Sequence, residues 1–406
     1  MTNTPLAVLD LVPISSGSSA PEALRNSIDL ARQAERLGYA RYWFAEHHLN
    51  PGVAGTSPAV VLALTAAATT SIRVGSGAVQ MGHRTALATV EEFGLIDALY
   101  PGRLDLGLGR SAGRGRRPRR EPALAAAAPG AASKGAASQG AAGPAASAGQ
   151  PAGPAQAPDA GGRRTENGLL IPPRFPIERV LRSPRAGLQR KLLTLPNAEP
   201  QDYTEQVGDV LALLRGTYVT QDGAEAHVVP GEGADIQVWI LGSSGGESAR
   251  VAGANGLRFA ANYHVSPATV LEAADGYRAG FRPSAELDRP YVSVSADVVV
   301  AADEATAREL AEGYGLWVHS IRSGAGAIQF PTPEQARAHA WTEDERALVA
   351  DRVATQFAGS PARVADQLEI LRDATGADEL IITTITHDHA DRVRSYELLA
   401  REWRRR

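Results

Sequence analysis

The 406-residue chain contains no cysteine. Disulfides, thiolate nucleophiles and Cys-ligated zinc or iron–sulfur centres are therefore excluded, and the composition suits a reducing compartment. A basic excess is missing too: 41 Lys and Arg stand against 45 Asp and Glu, a formal net charge of −4. Nucleic-acid-binding proteins ordinarily carry a basic stripe, so small neutral or anionic molecules are the expected ligands. No apolar run reaches the roughly 18 residues of a membrane span, and Met1-Thr2-Asn3-Thr4-Pro5 does not open a basic-then-apolar leader. We expect a soluble, cytoplasmic protein with neither membrane nor nucleic acid among its partners. No His-Glu-x-x-His run and no glycine-rich nicotinamide fingerprint is present.

What the chain does have is a regular alternation of apolar patterns. Residues 6–12 form a short apolar run ahead of a Ser/Gly-rich turn and read as a buried strand. Pro21 opens a helix in which Leu24, Ile28, Ala31, Ala34 and Leu37 recur at helical spacing, and Gly38 stops it. Residues 41–46 make a second strand and complete a βαβ unit. Helical patterns over 58–69 and 87–99 then alternate with strands at 72–79 and 103–110. Gly75 and Gly77 inside the third strand mark a bulge, a place where a ligand meets the backbone, or a barrel corner.

The character changes after Arg110. Residues 113–163 offer a few arginines, then Ala, Gly, Pro, Ser and Gln with almost no large apolar side chain. Such a segment cannot bury enough surface to offset its ordering entropy, so a flexible low-complexity insertion is expected there, its arginines read as an ordinary solvated run. Beyond it comes an irregular Pro-rich stretch at 171–175 and a helix over 202–214. Strands at 236–241, 257–261, 291–300 and 379–384 follow, with helices at 249–255, 267–280, 304–318, 343–356, 360–376 and 391–404 and a Gly/Pro loop at 323–332. Strands separated by helices along the whole chain indicate one closed (β/α)8 TIM barrel over 1–406, an α/β fold, rather than an open sheet.

In such a barrel the active site lies at the C-terminal ends of the strands, which brings Glu46, His47, Arg110 and Ser244 to one face. The second strand ends in Glu46-His47-His48, where buried ionisable side chains carry desolvation costs that packing alone rarely justifies. Adjacent histidines do not project to one point, so no metal site is expected. His47 is the candidate for proton transfer, with Glu46 fixing its tautomer or raising its pKa, while His48 is equally a structural histidine. After the fifth strand, residues 242–248 make a Gly/Ser-rich turn into a helix, either a phosphate cradle or an ordinary capped turn. The persistence of small residues through the whole turn favours phosphate, with Ser244 a phosphate ligand rather than a nucleophile.

Taken together, residues 38–50, Arg73-Val74-Gly75-Ser76-Gly77, residues 101–110, the turn at 241–250 and the tail at 376–399 resemble the bacterial luciferase-like, flavin-dependent monooxygenases. The likeness spans the chain outside roughly 113–163 and is nearest to the single-component oxygenase branch common in natural-product pathways. It implies a barrel that binds FMN, as FMNH2, at the strand C-termini and uses O2 to oxygenate a small organic substrate. By the same resemblance His47 and Glu46 are catalytic, His47 assisting proton transfers at a flavin C4a-hydroperoxide. Gly77 and Ala78 would be joined by a cis peptide against the isoalloxazine, Arg110 would meet the FMN phosphate, and Ser244, Gly245 and Ser248 would lie in its binding turn. A separate NAD(P)H:flavin reductase and a homodimer are implied as partners. Two positions depart from the family pattern: Gln80-Met81-Gly82-His83-Arg84 replaces a Leu-Pro-Asn-His-like run, and Gly109 replaces a cysteine near the flavin, so light emission is not implied. The same fold also accommodates a deazaflavin-dependent dehydrogenase or a non-catalytic flavin-binding protein.

Overall fold

The computed structural model describes residues 4–110, 161–199 and 201–406. The expected insertion at 113–163 lies outside the described residues apart from its last three positions. Eight parallel strands close on themselves: β1 (Leu6–Asp10), β2 (Arg41–Phe44), β3 (Arg73–Ser76), β4 (Leu104–Gly109), β5 (Ile236–Gly242), β6 (Arg258–Asn262), β7 (Val292–Val300) and β8 (Glu379–Thr383). Closure is visible in the register, Leu6 opposite Leu380 on one side of β1 and Val8 opposite Tyr42 on the other. This is the (β/α)8 barrel that the alternation predicts.

Side-chain alternation along the strands divides the core in two. Ala7, Leu9, Trp43, Trp239, Ala260 and Ile381 point into the lumen and form one buried cluster. Their neighbours Val8, Tyr42, Phe44, Val238, Ile240 and Leu380 point outward into a larger cluster shared with the helices. The helices of the fold include α1 (Ala20–Arg36), α2 (Pro58–Ala68), α3 (Ala86–Leu99), α4 (Pro184–Leu193), α5 (Tyr203–Arg215), α6 (Glu247–Ala254), α7 (Val270–Gly280), α8 (Glu304–Arg322), α9 (Glu343–Thr355), α10 (Pro361–Thr375) and α11 (His389–Trp403). α1 shows the local logic: the Ser19 hydroxyl accepts from the Glu22 N–H, Pro21 sits in the first turn, and Gly38 at φ +76 turns the chain into β2. No helix among the described residues is long and apolar enough to cross a membrane.

The N-terminal end of the lumen is sealed by charge. Arg41, at the start of β2, donates to Glu379 Oε1 and Asp105 Oδ2, each at 2.7 Å. Asp105 also accepts from Arg73 Nε at 2.8 Å and from Trp43 Nε1 at 2.9 Å, and Glu379 from the Tyr291 hydroxyl at 3.0 Å. The Arg41 guanidinium lies 4.8 Å from the Trp239 ring centroid.

Some elements differ from the sequence expectation. The third strand stops at Ser76, and after Gly77 and Ala78 a two-residue strand, Val79–Gln80, pairs with the end of β4. Gly75 is instead required by close packing between strands, since a Cβ there would lie 2.5 Å from Asp105 Cβ. α4 and the short helix Glu178–Leu181 occupy a region for which no pattern was visible. Phe357–Gly359, between two expected helices, adds a short parallel strand to the far end of β7.

Candidate active site

The strands deliver their C-terminal ends to a cavity of about 1130 Å³. Of the residues expected there, Glu46, His47, Gly77, Ala78, Arg110, Ser244 and Ser248 all line it. Gly245 does not. A Cβ at Gly245 would lie 2.8 Å from the Glu272 carbonyl oxygen, and one at Gly276 would lie 2.7 Å from the Gly245 Cα. This glycine lets the turn pack against α7.

Glu46 and His47 do not form the expected pair. The chain leaves β2 in extended form, so successive side chains take opposite sides, and Glu46 shares its side with His48. Glu46 Oε1 lies 2.9 Å from both His48 Nε2 and His83 Nε2, and Oε2 accepts from the Gln80 N–H at 2.8 Å. The Gln80 side-chain amide returns a bond to the Glu46 carbonyl at 2.7 Å. Burial alone would push the Glu46 carboxyl up, but the bonds from His48, His83 and Gln80 outweigh it and hold the pKa at about 2. Glu46 is a permanently ionised hub that joins the end of β2 to the segment after β3. His48 and His83 with Glu46 could face a metal, their ligating atoms lying within 4.8 Å of one another. Arg84 Nε stands 3.6 Å from the same carboxylate oxygen, which places a fixed positive charge where a cation would sit.

His47 points the other way, into the cavity, and its ring has no hydrogen-bond partner among the described residues. Its backbone is fixed by a 2.8 Å bond from its N–H to the Gly55 carbonyl. Burial, then the nearby His48 and Arg185, lower its pKa to about 4, and the opposing pull of Glu46 is too weak to reverse them. The expectation of a raised pKa is thereby corrected: this imidazole is neutral at pH 7, able to accept a proton from a bound molecule or pass one on. The Gly77–Ala78 peptide beside it is cis, as the resemblance implied.

Sequence reasoning missed a second imidazole. His264 follows β6 by two residues, lines the same cavity, and has Nδ1 2.6 Å from the Ser295 hydroxyl oxygen. Burial, then Arg352 and His47, bring its pKa to about 3, so it too is neutral. The signal that singled out His47, an ionisable group just past a barrel strand, was available at residue 264 as well. Behind it Arg352 donates to Asp297 at 3.1 Å and to the Tyr314 hydroxyl at 2.8 Å. The wall between these polar groups is apolar, built from Leu9, Trp43, Val53, Leu241, Trp317 and Ile381.

At the opposite pole, the turn after β5 runs into α6, whose first N–H groups receive no side-chain cap. Residues 242–246 spell Gly-Ser-Ser-Gly-Gly, the letters of a nucleophile elbow, yet the Ser244 hydroxyl accepts a 3.4 Å bond from the Gly246 N–H and has no histidine partner among the described residues. Arg110 reaches the turn through Glu247, Nη1 to Oε2 at 2.6 Å. Arg250 also faces this pole. Uncapped N–H groups, hydroxyls and arginines at one helix start could receive an anion there.

The luciferase-like monooxygenase family profile matches residues 4–119 and 197–379. A luciferase-like monooxygenase of Escherichia coli (strain K12) is 31% identical over 400 residues, covering 98% of this chain and 97% of that protein. The N-acetyl-S-alkylcysteine monooxygenase of Bacillus subtilis (strain 168) is 44% identical over 108 residues, 27% of this chain and 32% of that protein. Among solved structures, apo-MsnO8 superposes with a TM-score of 0.70 at 28% identity, covering 99% of this chain and 98% of that one. The chain belongs to the luciferase-like monooxygenase family and is an oxidoreductase.

Proposed function

We propose that this protein binds reduced FMN at the C-terminal mouth of the barrel and, with O2, places one oxygen atom on a small organic substrate while the other leaves as water. The observation that carries the reading is the joint presence, in one cavity, of a neutral imidazole at His47 and a Gly/Ser-rich turn at residues 242–248 suited to an anion. Family membership supports a flavin. The residues suit one: Gly77 and Ala78 form a floor with no side chain larger than a methyl group, beside Trp43. Ser244, Ser248, Arg250 and the start of α6 would hold the phosphate, with Arg110 braced by Glu247.

Reduced FMN would supply the two electrons that O2 activation requires. His47 would take and return the proton that moves during oxygen transfer, and the apolar wall would keep water from diverting the reaction. Glu46 is best placed in a positioning role, holding His48, His83 and Gln80 around the floor. Electrons would come from a separate NAD(P)H:flavin reductase in the cytoplasm, consistent with the missing nicotinamide fingerprint. A homodimer is supported by α2 and α3, whose outer faces expose Val60, Leu64, Leu95 and Leu99, Leu99 at 74%. α2 carries no charged residue at all.

The test is to titrate the purified protein with FMNH2 under anaerobic conditions, admit O2, and measure the yield of H2O2 against oxygenated product over a substrate panel. Product formation with suppressed H2O2 release is expected. Tight binding of the deazaflavin coenzyme alone, with no oxygenated product and H2O2 formed as it is from free FMNH2, would overturn the proposal in favour of a dehydrogenase.

A further inference from the structure

Charges around the cavity do not balance locally, and the imbalance has a position. Each lining carboxylate is already engaged. Glu46 accepts from His48, His83 and Gln80, Asp202 caps α5 by accepting from the N–H groups of Thr204 and Glu205, Glu247 holds Arg110, and Asp297 holds Arg352. Two further arginines lie on the cavity-facing side of α4. Arg185 and Arg190 have no carboxylate partner among the described residues.

Arg185 is fixed in place all the same. Its Nε donates to the Leu49 carbonyl and Nη2 to the His48 carbonyl, each at 3.1 Å, and Nη2 also donates to Asn50 Oδ1. Nη1 is left without a protein acceptor among the described residues. Among the described residues Arg190 donates only to the Leu181 carbonyl, through Nη1 at 3.0 Å. Arg185, half-buried, oriented by neutral acceptors and with a donor to spare, pays desolvation without the compensation of an anion, whereas Arg190 is solvent-exposed. The cavity thus has two cationic poles. One is the turn at residues 242–248 with Arg250, and the other is α4; Trp43, Trp317 and Ile321 line the same cavity.

Resting on the flavin oxygenase reading, in which the first pole takes the flavin phosphate, we infer that Arg185 and Arg190 form the anion-recognition site for the substrate. The substrate class is then an organic acid, with a carboxylate or sulfonate at the rim and an apolar body reaching past the wall toward His47. The tie from Arg185 to the His48 carbonyl gives this anchor a second role, since it fixes the loop that carries His47 relative to the bound anion.

The experiment uses the full-length protein and matched alkyl and aryl probes: carboxylates and sulfonates against the primary amides and alcohols of the same carbon skeletons. Binding is read from tryptophan fluorescence, Trp43 and Trp317 lining the cavity, and by calorimetry. Acids are expected to bind at least about tenfold more tightly than their neutral counterparts, the scale of a charged hydrogen bond. Arg185→Gln and Arg190→Gln should each erode that preference, and Arg185→Lys should restore part of it. Arg190→Gln guards against a folding artefact, because Arg190 does not touch the loop at residues 48–50. Equal binding of acids and amides, binding of neither, or a preference unchanged in both glutamine variants overturns the inference. Oxygen transfer is measured separately: acid selectivity without FMNH2-dependent oxygenation would refute the oxygenase reading and leave the anion site standing, whereas oxygenation without acid selectivity would do the reverse.

Discussion

The two ends of the barrel lumen use the same kinds of side chain to opposite purpose. At the N-terminal end, Arg41, Arg73, Asp105 and Glu379 are all buried or nearly so and answer one another within 2.8 Å. At the C-terminal end, His47, His264, Arg185 and Arg190 face a cavity, with no carboxylate bonded to any of them among the described residues. A buried charge network with every partner present is a seal; removing one member exposes the rest to an uncompensated environment. Ionisable groups left facing a cavity are groups waiting for a ligand. The contrast separates stability from chemistry along a single axis of the fold.

That separation can be broken at either end. The largest expected effect is at the C-terminal end: His47→Asn should lower oxygenated product formation by about 10²–10⁴-fold, the range for losing a proton-transfer group, while urea midpoints stay close to wild type. Loss of folding instead of turnover would show that His47 belongs with the structural groups. At the sealed end, Asp105→Ala removes the carboxylate that accepts from Arg41, Arg73 and the Trp43 N–H, leaving Arg41 with Glu379 and Arg73 with backbone carbonyls. We expect about 3–5 kcal/mol of destabilisation by equilibrium unfolding; a change within about 0.5 kcal/mol, the scale of an ordinary surface substitution, would mean the network is dispensable.

Leu64→Glu combined with Leu95→Glu, outside both ends, should convert a dimer into a monomer on light scattering without altering acid binding at α4. A monomeric wild type would remove the premise. The smallest effect concerns pH. His47 at about 4 and His264 at about 3 bind protons less readily than unfolded histidines near 6.5, so the unfolded state takes up more protons as pH falls from 6.5 toward 4. Stability should therefore decline across that window. Below 4.5 Glu46, held at about 2, adds a further decline as its hydrogen bonds are lost. In urea titrations between pH 7 and pH 4, the double variant His47→Asn, His264→Asn should show a shallower slope than wild type; an identical slope would show that neither histidine is protonated differently on unfolding.

Much of this molecule could be read from local pattern, and what could not is non-local. The strands and most of the helices around them announce themselves through short-range periodicity, and so does the turn at residues 242–248. The partner of Glu46 does not, because His83 and Gln80 stand 37 and 34 residues away and are brought near only by pairing of the segment after β3 with β4. Sequence adjacency pointed to His47 where strand alternation selects His48. α4 was overlooked because Pro184-Arg185-Ala186-Gly187-Leu188-Gln189-Arg190 lacks a clean apolar stripe, although Ser183 ahead of Pro184 is a serviceable cap, its hydroxyl accepting from the Ala186 N–H at 3.2 Å. A helix that lines a polar cavity on one side and meets solvent on the other has no reason to be strongly amphipathic.

One side-chain oxygen joins the mouth of the cavity together. Asn50 Oδ1 accepts from Arg185 of α4 and from the Ala327 N–H, while Gly52, nearby in the same loop, donates its N–H to the Ala327 carbonyl at 2.8 Å. Three segments distant in sequence therefore share one fastening: the loop after β2, helix α4 and the loop after α8. Segments fastened in this way open as a unit. Amide exchange at residues 48–52, 184–190 and 326–328 is accordingly expected to follow one common opening rate, and an Asn50→Ala change should split it into three.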